Sequence, residues 1–215
     1  MKRCPRCGSK NVAEILYGMP VYDDELQKKL DEGKIVLGGC CICTADINGK
    51  QVKVMPSMHC NDCKKDFGKP PILISRKSGE TEDYRDIVTS IYFCVGGFFQ
   101  GGDVVSISRN RDGAVVTAGW LPGDIKKFEK RQIATSEWKQ IIDVLYKRLY
   151  LQDWKRRYVD PYTLDGTQWE LKIRLTGGRR RNYYGSNIFP PYWNELKKVF
   201  QKYTIESMLT DIEKD

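Results

Sequence analysis

The sequence predicts an α+β protein in two parts: an N-terminal unit stapled through cysteines, with a short helix inserted in it, and an antiparallel-sheet domain with two main helices. Three observations lead there. Seven of the eight cysteines lie within residues 1–70, four of them as two Cys-x-x-Cys pairs. Beyond residue 85, β-branched and aromatic runs punctuated by glycine are interrupted by two stretches of helical periodicity. Between these parts, Arg76–Asp83 is polar and turn-rich, the composition of a linker. The boundaries read as 1–70, a linker over 71–84, and a domain over 85–215. Strands followed by a helix, then strands followed by a helix, imply helices packed on an antiparallel sheet.

Within the first part, Asp23 to Gly33 reads as a helix. Asp23 suits the N-cap, acidic residues fill the first turn, Leu26 and Leu30 share a face, and Gly33 stops it. Ile35-Val36-Leu37 then reads as a strand broken by Gly38-Gly39. In the second part, Asp86 to Val95 is strand-like, with Ile91, Phe93 and Val95 alternating. Gly96-Gly97 and Gly101-Gly102 are expected to break it at a turn or bulge near Phe98-Phe99. Val104–Ser108 and Ala114–Ala118 flank a turn signal, Asn110-Arg111-Asp112-Gly113. Trp138, Ile141, Ile142, Leu145 and Leu149 mark a helix capped by Thr135 or Ser136. Trp169, Leu171, Ile173 and Leu175 alternate with polar residues in a half-buried strand. Pro190-Pro191 open a last helix with Leu196, Val199, Phe200 and Tyr203 on one face.

The chemistry is clearest in Cys4-Pro5-Arg6-Cys7 and Cys60-Asn61-Asp62-Cys63. Each pair sets two thiolates on one tight turn, and two such turns converging supply four soft ligands in a tetrahedron, the donor set of a closed structural Zn²⁺ site. A redox Cys-x-x-Cys would sit at a helix N-terminus after a strand, which neither pair clearly does. With Gly8, Tyr17-Gly18-Met19-Pro20, the run from Gly33 to Cys40, and Phe67, these pairs make the first third of the chain resemble a zinc ribbon found in many uncharacterised bacterial proteins. That resemblance implies Cys4, Cys7, Cys60 and Cys63 as ligands. Lys64 departs from it, since such turns usually carry Gly there, and implies a looser second turn. The stretch Asp165 to Trp169 with Gly185-Ser186-Asn187 and Pro190 resembles an uncharacterised bacterial domain that brings no activity with it.

Four cysteines remain. Cys40, Cys41 and Cys43 form a local cluster open to two readings: a second metal or redox site, with His59 as the missing fourth ligand, or small apolar side chains buried beside the ribbon. The second is preferred, because three ligands without an evident fourth make a poor site. Cys94, alternating with apolar residues, reads as core.

The net charge of +8 is unevenly placed: residues 147–181 hold 10 basic against 4 acidic residues. Gly177-Gly178 between two strand-like runs suggests a two-residue hairpin loop. That register opposes Arg174 to Arg181 and Lys172 to Tyr183. Lys172, Arg174, Arg179, Arg181 and Tyr183 then share one face, with Arg180 at the rim of the other. Opposed arginines repel unless an anion lies nearby, so this face is a candidate for nucleic acid or an acidic protein surface. The other reading is a sheet edge blunted against aggregation. Lys155-Arg156-Arg157 either extends the basic surface or, as preferred, complements a helix C-terminus. Tyr183 to Asn187 reads as a turn.

For catalysis the inventory is poor. The single histidine, His59, abuts a metal-ligand candidate, and no phosphate loop, dinucleotide fingerprint, nucleophile elbow or H-E-x-x-H helix occurs. No run approaches the ~18 apolar residues of a membrane helix, and the N-terminus lacks the apolar core of a secretory signal; the expected compartment is the cytosol. The sequence therefore reads as a non-catalytic zinc-ribbon binding or adaptor protein with a basic face for nucleic acid. The competing readings are a protein-interaction module docked by the ribbon or by Phe98-Phe99, and an enzyme built on carboxylates of the second part.

Overall fold

The computed structural model describes residues 2–47, 49–74, 81–97, 101–123, 128–163 and 165–204 of the chain. It is a mixed α+β protein, as expected, and it divides into two compact units. One is Met1–Tyr84 together with Tyr146–Trp154; the other is Arg85–Leu145 together with Lys155–Asp215. The stretch 71–84, read from sequence as a linker, contributes two paired strands to the first unit.

The first unit is built on a small four-stranded sheet in the order β2-β1-β5-β6, from β1 (Val12–Leu16), β2 (Ile35–Leu37), β5 (Met58–Cys60) and β6 (Asp66–Phe67). Helix α1 (Asp24–Asp31) connects the parallel pair β1 and β2. Its N-cap is Asp23, whose carboxylate accepts from the Leu26 N–H at 2.8 Å, and Gly33 follows its end at φ 65°. Two further hairpins, β3 (Thr44–Ile47) with β4 (Lys50–Lys53) and β7 (Ile72–Ile74) with β8 (Thr81–Asp83), complete it. The segment 146–154 lays Tyr150 edge-on against Phe67, ring centroids 5.3 Å apart, and stacks Tyr146 on Tyr84 at 3.9 Å. Asp153 accepts from the Gly68 N–H at 3.0 Å. Burial pushes the Asp153 carboxyl up despite that bond.

The second unit is a seven-stranded sheet in the order β12-β11-β10-β9-β14-β15-β13. Its strands are β9 (Val88–Gly97), β10 (Gly101–Asn110), β11 (Gly113–Leu121), β12 (Glu129–Ala134), β13 (Arg157–Val159), β14 (Thr167–Leu175) and β15 (Arg180–Ser186). All neighbours are antiparallel except β13 with β15. The expected alternation holds: Ile91, Phe93 and Val95 on β9 and Trp169, Leu171, Ile173 and Leu175 on β14 are buried. Helix α4 (Trp193–Gln201) covers that face, Phe200 stacking on Phe93 at 4.6 Å and Trp193 lying 5.3 Å from Trp169. Each of these large side chains contributes about 1.5–3 kcal/mol by leaving water. Helix α3 (Thr135–Asp143) buries Trp138, Ile141 and Ile142.

Three local expectations are corrected. The chain over 84–87 is not strand but a helical turn, α2 (Tyr84–Ile87), and β9 begins at Val88. Neither Thr135 nor Ser136 caps α3. The N-cap is Ala134, because its ladder pairing with Gly113 holds it extended up to the first helical residue. The paired glycines do not break the strands. Gly96 and Gly97 oppose Gly102 and Gly101 within the ladder, where a Cβ on Gly96 would stand 2.0 Å from the Gly101 oxygen. Glycine permits that close backbone approach. The turn or bulge expected near Phe98-Phe99 falls outside the described residues. Among the described residues no helix is long and apolar enough to cross a membrane.

Beyond the end of α4, the Lys202 ammonium and the Tyr203 hydroxyl both donate to Glu137 of α3 at 2.7 Å. These two hydrogen bonds hold the Glu137 carboxyl below its usual range. A depressed folded-state value stabilises above the ordinary carboxylate range and loses that stabilisation as pH falls through it. Glu137→Gln is therefore expected to lower stability by about 1 kcal/mol near neutrality, with the difference from wild type vanishing in acid, measured by urea denaturation across pH.

Candidate metal centre and basic sheet face

Two matching turns carry the four predicted ligands. In the first, the Gly8 N–H donates to the Cys4 oxygen at 3.0 Å and the Cys4 N–H to the Ser9 oxygen at 2.8 Å. In the second, the Lys64 N–H donates to the Cys60 oxygen at 2.9 Å and the Cys60 N–H to the Lys65 oxygen at 3.0 Å. Gly8 has φ 80° and Lys64 has φ 55°. The second turn is thus no looser than the first; Lys64 adopts the left-handed conformation that glycine would take, at a cost of about 1–2 kcal/mol. A polar belt fastens the turns together. Ser9 and Asn11 donate to the two oxygens of Asp62 at 2.5 and 2.8 Å, and Asn61 donates to Asn11 at 2.9 Å and to the Gly33 oxygen at 2.8 Å.

As a result the sulfurs of Cys4, Cys7, Cys60 and Cys63 all lie within 4.8 Å of one another, in an arrangement that could hold a metal ion. The Cys4 and Cys63 sulfurs are 3.7 Å apart and those of Cys7 and Cys60 are 3.6 Å apart. For metal–sulfur bonds of about 2.3 Å, tetrahedral geometry requires about 3.8 Å, so the donor set fits. Burial pushes the Cys4 thiol up to about 12, against backbone N–H groups of Cys7 and Arg6. At Cys60 burial acts the same way, but the N–H groups of Cys63 and Asp62 together with the Cys7 and Cys63 thiols outweigh it and its value is lowered. A cation among the sulfurs supplies the charge that ionisation of the buried thiols requires. Cys4 and Cys60 belong to the unit's small core with Met58 and Phe67.

The remaining thiols are not where the sequence reading preferred them. Cys40, Cys41 and Cys43 are exposed rather than buried, and Cys94 is half-buried rather than core. His59 does not complete a second site. Its Nδ1 lies 2.6 Å from Asp66, and among the described residues the four-cysteine group is the one set of three or more such ligands within 4.8 Å.

The basic hairpin has a different register from the one expected. Thr176-Gly177-Gly178 together form the loop, with the Leu175 N–H donating to the Arg179 oxygen at 2.8 Å. Arg174 therefore opposes Arg180, Ile173 opposes Arg181, Lys172 opposes Asn182 and Leu171 opposes Tyr183. One residue of slip exchanges the faces of the second strand. Lys172 and Arg174 share their face with Arg180, Asn182 and Tyr184, away from α4. Arg179, Arg181 and Tyr183 fall on the other face, where Tyr183 is 1% exposed and Arg179 donates to the Thr176 oxygen at 3.1 Å. Arg180, assigned from sequence to the rim of the core face, and Tyr184 were missed. The signal was available: only the three-residue loop sets both the Leu171 side chain and the Tyr183 ring on the core side.

Arg156 and Arg157 do not end a helix. Arg157 lies in β13 beside Tyr184 of β15, 5.9 Å from its ring, and Arg156 lies 4.4 Å from the ring of Tyr183. Tyr183 to Ser186 is strand rather than turn; only Asn187 leaves it, at φ 58°. On the same face Glu170 pairs with Lys172 at 2.7 Å, and Lys172 lies 5.1 Å from the ring of Tyr92. Burial, with Cys94 and Glu170 beside it, pushes the Tyr92 hydroxyl up to about 12.

Comparison with protein-family models, with curated proteins and with solved structures gives no match to this chain.

Metal loading is expected to divide the thiols by reactivity. Cys40, Cys41 and Cys43 react at once with a chromogenic disulfide, whereas the four clustered cysteines, including exposed Cys7, react only after chelation. Separately, Lys64→Gly is expected to raise the stability of the metal-loaded protein by about 1 kcal/mol, read as a higher denaturation midpoint.

Proposed function

We propose that this chain is a non-catalytic, zinc-bearing binding protein whose second unit holds single-stranded nucleic acid on its basic sheet face. The observation that carries the reading is the opposition of Arg174 and Arg180, both exposed, on a face that also carries Lys172, Arg157 and Tyr184. Like charges directly across a ladder destabilise a sheet. A bound phosphate backbone would neutralise them and release counterions, which drives such binding at low salt. Lys172 and Arg174, two residues apart on one strand, are about 7 Å from each other, a spacing comparable with successive phosphates of an extended strand. Tyr184, 44% exposed beside two arginines, offers a ring on which a base can stack. The exposed ring favours a single strand over a duplex, whose bases are already stacked.

Zinc suits the tetrathiolate cluster because it accepts four sulfurs tetrahedrally, and full thiolate ligation leaves no open position for chemistry. In this reading the metal folds the first unit and takes no part in a reaction. The resemblance of that unit to a zinc ribbon supports the same assignment.

Fluorescence anisotropy with labelled oligonucleotides, together with elemental analysis of the purified chain, tests the proposal. The expected results are about one equivalent of zinc, affinity that falls steeply with salt, and a loss of at least tenfold in Arg174→Glu with Arg180→Glu. Tyr184→Ala should cost about 1–3 kcal/mol of binding, while Arg111→Glu, in the β10–β11 turn, should leave it unchanged. Absence of binding at low salt, or binding untouched by the double substitution, overturns the nucleic-acid reading; a shallow salt dependence with an acidic protein in its place would favour a protein partner.

A further inference from the structure

We infer that Cys40, Cys41 and Cys43 form a second metal site, distinct from the tetrathiolate cluster, that takes a soft monovalent ion, Cu⁺, in two- or three-coordinate thiolate geometry.

The loop that carries them is tied down at both ends. At its start the Gly38 N–H donates to the Leu16 oxygen at 2.8 Å and the Gly18 N–H to the Gly39 oxygen at 2.9 Å. At its end the Val54 N–H donates to the Cys43 oxygen at 3.0 Å, and the Cys43 N–H donates to the Met55 thioether sulfur at 3.2 Å. Between these anchors all three thiols face solvent. Three exposed thiols in four residues are chemically costly to keep, since exposed cysteines oxidise and cross-link, and they bury no apolar surface that would account for them.

The spacing of the first two sulfurs is compatible with a trigonal thiolate site. The Cys40 and Cys41 sulfurs are 3.9 Å apart. Two sulfurs bound at about 2.3 Å stand about 4.0 Å apart when they subtend 120°, so the pair already has the separation of a trigonal site. Cys43 does not lie within 4.8 Å of both in this structure; as an exposed thiol in the same loop, it is the third donor that the trigonal site requires. The ordinary objection to the cluster is the missing fourth ligand. It holds for zinc, which closes a tetrahedron, and His59 is engaged by Asp66 instead. A d¹⁰ monovalent ion needs two or three sulfurs, so for it the set is complete.

The donors select the same ion. Cys40, Cys41 and Cys43 offer only sulfur, with the Met55 thioether adjoining, and soft sulfur donors favour Cu⁺ over hard cations that require oxygen. Exposure distinguishes this site from the buried cluster: an ion held by two or three solvent-facing thiolates exchanges readily with another thiol, as loading or transfer requires. On binding, each thiol that becomes a ligand releases its proton to solvent; copper remains Cu⁺ and no electron is transferred.

The test is an anaerobic titration of the full-length, metal-loaded chain with Cu⁺ against a chromophoric Cu⁺ chelator, with zinc and copper content measured after desalting. Wild type is expected to retain about one equivalent of copper without releasing the metal of the Cys4 cluster. Cys40→Ser with Cys41→Ser and Cys43→Ser should weaken retention more than about 100-fold, beyond what a change outside the ligand shell causes, and keep the first metal. Substituting exposed residues leaves the core of the unit untouched, and circular dichroism checks that the variant is folded. Failure to retain copper, equal retention by the triple variant, or copper uptake matched by release of the first metal would each overturn the inference.

Discussion

Four sulfurs drawn from two turns, with 52 residues between Cys7 and Cys60, set the constraint under which the first unit folds. Around these sulfurs lies a small apolar cluster: Cys4, Met58, Cys60 and Phe67, with Val12, Cys63 and Tyr150 packed against them. A cluster of that size by itself offsets little of the conformational entropy lost in ordering the turns around it. A structural metal contributes about 10–16 kcal/mol of apparent folding energy in zinc-finger modules, and one held by these sulfurs would outweigh any other single interaction in the unit. The belt of Ser9, Asn11, Asn61 and Asp62 serves the same end, since it orients the turns so that their sulfurs meet.

In the second unit the governing constraint is register. A strand presents alternate residues to alternate faces, so the length of one loop decides which side chains a partner could touch. With three residues in the loop, Tyr183 is drawn under the sheet and Tyr184 is turned outward. Arg180 replaces Arg181 opposite Arg174. The basic face survives with a different membership, and it gains Arg157 from the parallel edge strand. Buried aromatic contacts across Phe93, Trp169, Trp193 and Phe200 hold this register, because a slip would carry polar residues beneath α4.

The cysteines show how one side chain takes different chemistry from its surroundings. At Cys4 and Cys60, burial and backbone N–H groups compete over ionisation, and the sulfurs converge as a closed set. At Cys40, Cys41 and Cys43 the thiols are open to solvent and incomplete for a tetrahedral ion. At Cys94 the thiol sits in a half-buried row with Tyr92 and Glu170, where burial raises it. Cysteine count and spacing alone do not separate these three cases.

The chain's local pattern by itself determined a good deal: the mixed α+β class, the cap of α1 at Asp23, the buried alternation on β9 and β14, and the four cysteines that converge where a metal could be held. Each depends on neighbours a few residues apart, or on a spacing so specialised that it has one geometric solution. Tertiary structure alone decided the rest. The glycine pairs at 96–97 and 101–102 became close-packed strand rather than breaks because each faced the other across a ladder. The thiols at 40–43 became exposed because their loop was anchored at its two ends, and not through its side chains. The membership of the basic face turned on the length of one loop: burying Leu171 and Tyr183 together requires three residues at 176–178, and the packed core decided that burial over the two-residue turn that Gly177-Gly178 suggests.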